Sequence, residues 1–317
     1  MKRTISIITI LSAILFTSCM KINEPYLENF KMTTAISVFV NDGKVGVTTL
    51  KNENNYISTE YWIDSTKSTA AELQKLLPKG ASYRTSIDNY YLATTVFRKM
   101  DSSLVEYKFL RQYSLEPASQ LFYFKDGERI SMDTMALGAI QYVYAGKDDV
   151  VAGFYARRDY FESGVVFVPA IPFYRDGKNK PVELPMPSST PFYFQGTSCI
   201  HKSGDNVYVG GNMNFPMYWK NTDVVKLSDK YGLVNQIQTQ GSDVYAVGYY
   251  NKNNSRGTGH TACYWLNGKL IELEDNAIAY SIFLVGKDVY VAGAVGKYDA
   301  EYKACYWKNG KRYMLPN

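Results

Sequence analysis

Along most of the chain, apolar and polar residues alternate over runs of four to six positions and then meet Gly, Asn or Asp. This is the pattern of short, half-buried strands joined by tight turns. Near the C-terminus the runs 280–285, 289–292, 304–308 and 312–315 read as four successive strands, here A, B, C and D. Asn309-Gly310 between C and D supplies the two positive φ angles of a type I′ hairpin turn, and Gly286 with Asp288 makes the A-to-B link similarly tight. Two stretches break the alternation. Residues 68–77, with Ala70, Ala71, Leu73, Leu76 and Leu77, read as a short helix or equally as an edge strand, and residues 5–16 are apolar except for Ser6, Thr9 and Ser12.

The alternation is also periodic. Ala304-Cys305-Tyr306-Trp307-Lys308-Asn309-Gly310-Lys311 copies Ala262-Cys263-Tyr264-Trp265-Leu266-Asn267-Gly268-Lys269, and Asp288-Val289-Tyr290-Val291-Ala292-Gly293 copies Asp243-Val244-Tyr245-Ala246-Val247-Gly248. The aromatic pair recurs upstream as Tyr218-Trp219, Phe173-Tyr174, Tyr123-Phe124 and Tyr61-Trp62, at intervals of 62, 50, 45, 46 and 42 residues from the first pair to the last. The turn after the pair returns as Asp126-Gly127 and Asp176-Gly177, and in weaker form at Asp64 and Asn221. A second turn, ahead of strand B, carries Asp42, Asp88, Asp149, Asp205, Asp243 and Asp288, so both markers count six units. One four-stranded antiparallel sheet cannot bury both faces alone, whereas stacking six around an axis buries them and leaves only short edges. The expected fold is therefore all-β, a six-bladed β-propeller of four-stranded antiparallel blades. A β-sandwich would have no reason to repeat one unit six times with the same turn residues.

The unit, with its Tyr-Trp-Lys-Asn-Gly turn and its Val-Tyr-Val-Ala-Gly strand, resembles the extracellular HAF-type repeats and the YWKNG-type propeller repeats of Bacteroidota lipoproteins. The likeness covers nearly all of residues 34–317 and is closest in units four to six; Gly46-Val47 and Tyr123-Phe124 depart from it. It implies a propeller and a cell-envelope address, and it brings no catalytic motif. The N-terminus points the same way. Lys2 and Arg3 precede the apolar run, which is too short for a helix of roughly 20 apolar residues to span a bilayer. The run ends in Leu15-Phe16-Thr17-Ser18-Cys19, which resembles a bacterial lipobox with Phe16 where Leu is usual. That resemblance implies a signal peptide over 1–18, lipidation of Cys19, a tether over 19–33 and the propeller over 34–317. The expected location is the cell envelope after export, held by a lipid anchor, with the outer membrane preferred.

Composition narrows the chemistry. The net charge of +5, two units of which lie in the leader, is too small a field for a nucleic-acid binder. Two histidines and four cysteines leave little material for zinc sites or histidine-based catalysis, so no metal or cofactor is expected. No Gly-Xaa-Ser-Xaa-Gly elbow, P-loop or sialidase-type Asp box is present. Cys263 and Cys305 hold the same place in adjacent units, too far apart for the ~7 Å limit on bridged Cα atoms, so Cys199, Cys263 and Cys305 are expected to be free and buried.

Residues shared by every unit read as scaffold: the turn Asp residues as turn caps and the Tyr-Trp pairs as packing between blades. Function should then lie with residues that break the repeat. The two short turns of each blade share one face, so the B-to-C connections, read as long loops over 94–120, 154–169, 249–261 and 294–303, share the other. Candidate ligand contacts on that face are Arg157, Arg158 and Tyr160, then Asn212 and Asn214, then Tyr249, Tyr250, Arg256 and His260. Arg and Tyr together suit stacking and hydrogen bonding to a sugar or an extended peptide. The expected function is non-catalytic recognition of a glycan or an envelope or extracellular protein partner, with a propeller hydrolase of carbohydrates or lactones and a structural envelope subunit as alternatives.

Overall fold

The computed structural model describes residues 32–316 apart from 54–55, 86–92, 102, 111–119, 136, 145–148, 157–170, 187–196, 213–214, 255–258 and 297–300. Six antiparallel sheets stand around one axis as a six-bladed β-propeller. Blade 1 is β1 (Met32–Asn41), β2 (Lys44–Glu53), β3 (Tyr56–Ile63) and β4 (Thr66–Ser68). Blade 2 is β5 (Ser82–Arg84), β6 (Ala93–Lys99), β7 (Leu104–Leu110), β8 (Gln120–Lys125) and β9 (Glu128–Met135). Blade 3 is β10 (Leu137–Tyr144), β11 (Val150–Ala156), β12 (Ile171–Asp176) and β13 (Val182–Glu183). Blade 4 is β14 (Thr197–Ser203), β15 (Asn206–Asn212), β16 (Pro216–Lys220) and β17 (Asp223–Lys226). Blade 5 is β18 (Gly232–Gln240), β19 (Asp243–Asn251), β20 (His260–Leu266) and β21 (Lys269–Asp275). Blade 6 is β22 (Ala277–Val285), β23 (Asp288–Val295), β24 (Lys303–Lys308) and β25 (Lys311–Met314).

The repeated residues serve the frame, as their recurrence implies. At the C-to-D turns, φ is positive at two successive residues in Asp126-Gly127, Asn267-Gly268 and Asn309-Gly310, as a type I′ turn requires. The turn side chain then reaches back to strand B. Asp64, Asp126, Asn221, Asn267 and Asn309 each accept an amide near the start of strand B, that of Val45, Glu106, Val207, Val244 and Val289, at 2.8–2.9 Å. Asn267 and Asn309 also donate to Asp243 and Asp288 in the neighbouring A-to-B turn, at 2.8 and 2.7 Å. Both short turns therefore lie on one face and lock one another. Trp219, Trp265 and Trp307 are buried between blades, and Cys199, Cys263 and Cys305 are buried free thiols.

The innermost strands share a second device. β1, β10, β14, β18 and β22 each carry one bulge at an equivalent place. In blades 3 to 6 the residue before it pairs with a strand-B glycine: Gly153, Gly211, Gly248 and Gly293. A Cβ on Gly248 would stand 1.9 Å from the Leu233 carbonyl oxygen, and one on Gly293 2.1 Å from that of Ile278, which explains why glycine recurs there. Past the bulge, one side chain from each of four of these strands caps a backbone amide of the next blade. Gln236 accepts from Ile282 at 2.8 Å, Ser281 from Val38 at 3.4 Å, and Ser37 from Arg84 at 2.9 Å; the Cys199 sulfur receives the Ile237 amide. Among the described residues the ring closes without exchanging strands between the termini. Blade 1 packs Val38, Val47 and Trp62 on Tyr290, Ala304 and Tyr306 of blade 6, and the Thr33 amide donates to the Tyr302 carbonyl at 2.9 Å.

Three expectations are corrected. The supposed loop over 94–120 contains two paired strands, since β6 and β7 run in register from Ala93↔Leu110 to Lys99↔Leu104. Charges at Arg98, Lys99, Glu106 and Lys108 blurred their alternation. The bond between Asp126 and Glu106 identifies β7 as strand B of blade 2, so Asp101, not Asp88, stands in its A-to-B turn; Asp88 lies outside the described residues. The four-strand unit there is β6–β9, and β5 is an added inner strand. In blade 3 the aromatic pair is one residue early: Arg175 faces Val151 where Trp307 faces Val291 in blade 6. The ambiguous stretch 68–77 resolves into the end of β4 followed by helix α1 (Ala70–Leu76). Thr69 and Glu72 form a capping box at its start, and Leu73 packs with Phe39 and Tyr83.

Candidate binding site

The bulged inner strands determine what meets at the axis. Because each bulge resets which side chain faces inward, positions that look like ordinary strand residues surround a cavity of about 220 Å³. Its wall includes Ser37, Tyr142, Gln236 and Ser281, each the first paired residue past its bulge, and Tyr144, His201 and Gln238 two residues further on. Apart from the serine shared by blades 1 and 6, the first of these positions differs from blade to blade, whereas strands B and C repeat. Blade 2 contributes Ser82 and Arg84 from β5 and Arg98 from β6. Ser82 pairs with Arg98 and Arg84 with Val96, so the two arginines are diagonal neighbours on one face of the sheet.

Both guanidinium groups rest on aromatic rings of β10. Arg98 lies 4.5 Å from the Tyr144 ring centroid and Arg84 5.5 Å from that of Tyr142. Arg98 Nη2 also donates to the Tyr144 hydroxyl at 3.5 Å. Among the described residues, the cavity wall contains no Asp or Glu. Two buried polar atoms on that wall, Arg98 Nε and Gln238 Oε1, have no hydrogen-bond partner among the described residues. His201 packs edge-on against Tyr144 at 5.3 Å and its Nε2 meets Thr239 Oγ1 at 3.0 Å. Burial, and then the charge of Arg98, lowers its pKa to about 4, so the imidazole is neutral at pH 7. The fixed positive charge of the cavity is thus that of the arginines.

No family model and no curated protein matches this chain. Among solved structures it is similar to the phage phi92 endosialidase, with 7% identity and a TM-score of 0.44 over 92% of this chain and 68% of that one. It is also similar to the computationally designed Ika8 protein, with 9% identity and a TM-score of 0.42 over 87% and 98%.

The candidates read from the sequence fall into three groups. Arg157, Arg158, Tyr160, Asn214 and Arg256, like Cys19, lie outside the described residues, and Asn212 is placed only as the last residue of β15. Tyr250 is a core residue, 5% exposed, packed with Cys263 and Trp265. Its hydroxyl donates to Glu272, and burial followed by that bond raises its pKa to about 12. Lys252 closes this network through Glu272 at 2.9 Å and Asp275 at 2.8 Å. Tyr249 and His260 are brought together, with ring centroids 4.4 Å apart, and burial lowers the pKa of His260. Tyr231 also packs on Tyr249, with ring centroids 6.5 Å apart, and Tyr280 and Tyr302 of blade 6 act on its hydroxyl.

Arg84, Arg98, Tyr142, Tyr144 and Gln238 escape sequence reasoning because β5 has no strand signal and the inner strands lie outside the B-to-C loops to which the candidates belong. A signal did exist: strand A is the strand whose inner positions fail to repeat. The turn aspartates divide more finely than expected. Asp243 and Asp288 lock turns, while Asp149 takes bonds from Tyr107 at 3.1 Å, Tyr123 at 2.8 Å and Lys125 at 3.2 Å, and Asp176 takes Lys202 at 2.7 Å. These last two join blade 2 to blade 3 and blade 3 to blade 4.

Proposed function

We propose that this protein is an exported, lipid-anchored recognition propeller that binds a glycan residue in the cavity at the ring axis without transforming it. The observation that carries the reading is the make-up of the cavity wall: arginine, tyrosine, glutamine and serine on a rigid ring, with no carboxylate among the described residues. Glycoside hydrolysis by the usual route needs two carboxyl groups about 5–9.5 Å apart. A protein partner would need roughly 800 Å² of complementary surface on each side, whereas a pocket of about 220 Å³ suits one small group. Tyrosine faces stack on sugar rings, and amide and hydroxyl groups match sugar hydroxyls.

The reading has two parts and two tests. Metabolic labelling with a lipid analogue is expected to mark the wild type and not Cys19→Ala; equal labelling removes the anchor. A glycan array probed with the intact protein is expected to show binding with no change in the mass of the bound sugars. Release of shortened sugars would favour the hydrolase instead, and retention on protein but not on glycans would favour a polypeptide partner.

A further inference from the structure

Arg84 and Arg98 are two like charges, diagonal neighbours on adjacent strands, that line one cavity whose described wall holds no carboxylate to offset them. Eleven ion pairs join described residues, and none involves either arginine. Each guanidinium lies over an aromatic ring, Arg84 over Tyr142 and Arg98 over Tyr144, which restricts both side chains before any ligand arrives. Around them stand donors already turned by the frame. Ser37 Oγ and Ser281 Oγ each accept an inter-blade amide, which leaves each hydroxyl hydrogen to donate, and Gln236 uses only its carbonyl on Ile282. Gln238 Oε1 supplies an unmet acceptor.

We infer that the axial cavity binds the carboxylate of an acidic monosaccharide, held by Arg84 and Arg98, with its ring hydroxyls on the glutamine and serine groups. This rests on the glycan reading above and specifies its ligand class. A planar carboxylate matches a guanidinium fork through two parallel hydrogen bonds. An inorganic anion would meet the charge but has no donor for the acceptor of Gln238. A neutral sugar would leave the paired arginines without a counter-charge.

Isothermal titration of the full-length chain with D-glucuronate, D-glucose and sulfate tests this. Glucuronate is expected to bind about tenfold or more tightly than either control, and Arg98→Gln and Arg84→Gln are each expected to weaken it by about tenfold or more. The melting temperature of each ligand-free variant is expected to hold or rise, because a repulsion is removed; a purely structural arginine would lower it. Should Arg98→Gln fail to fold, Arg84→Gln gives the same readout independently. Equal binding of glucuronate and glucose overturns the carboxylate assignment while leaving glycan recognition standing. Sulfate binding as tight as glucuronate, no glucuronate binding, or indifference to both substitutions overturns the assignment as well.

Discussion

Blade 6 and blade 2 contain the same four-strand unit. In blade 6 the Tyr-Trp pair packs, Asn309 pins strand B, and the inner strand β22 presents Ser281 to cap Val38 of the next blade. Blade 2 keeps the pin, through Asp126 and Glu106, but places β5 inside β6 and replaces the buried Trp with a half-buried Phe124. The added strand brings Arg84 to the axis and leaves Arg98 beside it. Where the repeat is obeyed, side chains satisfy the frame; where it is broken, charged side chains are left facing a cavity.

The comparison is sharpest at the tryptophans. Trp307→Ala is expected to destabilise the protein by about 3–5 kcal/mol, the usual loss on emptying an aromatic core site, as read by chemical denaturation. The half-buried Phe124→Ala of blade 2 should cost clearly less. Equal losses would mean that blade 2 packs like blade 6 and that its departure is only apparent.

The axis differs from the frame in its response to pH. His201 has a folded-state pKa of about 4 against 6.5 when unfolded, so the unfolded state takes up a proton first as pH falls. Its contribution is complete above pH 6.5 and is lost between there and pH 4, by no more than about 3 kcal/mol. Unfolding free energies of wild type and His201→Gln, compared from pH 7.5 to 4.5, are expected to converge by that amount; parallel curves would mean that His201 is well solvated.

A smaller effect tests whether β6–β9 is the repeated unit. Asn309→Ala and Asp126→Ala each remove the acceptor for a strand-B amide and place alanine at φ 50° and 48°. Each is expected to cost about 1–2 kcal/mol. A loss at Asn309 with none at Asp126 would separate blade 2 from the other blades at the turn as well as at the axis.

Sequence by itself determined the parts whose physics is local. Asn309-Gly310 and its copies specify a left-handed turn within two residues, and the alternation on either side specifies strands; recurrence of the unit specifies six blades around an axis. The separate burial of Cys199, Cys263 and Cys305 follows from the same register. Tertiary structure alone decided what the inner strands face. A bulge shifts the inward side of strand A by one residue, and its position depends on a strand-B glycine in the pairing strand, as at Val234 and Gly248. β5 is only three residues long and is held by β6, with Ser82 pairing Arg98, and by the Ser37 bond from blade 1. Its three residues have no strand signal of their own, so the cavity they help to form exists only once the ring has closed.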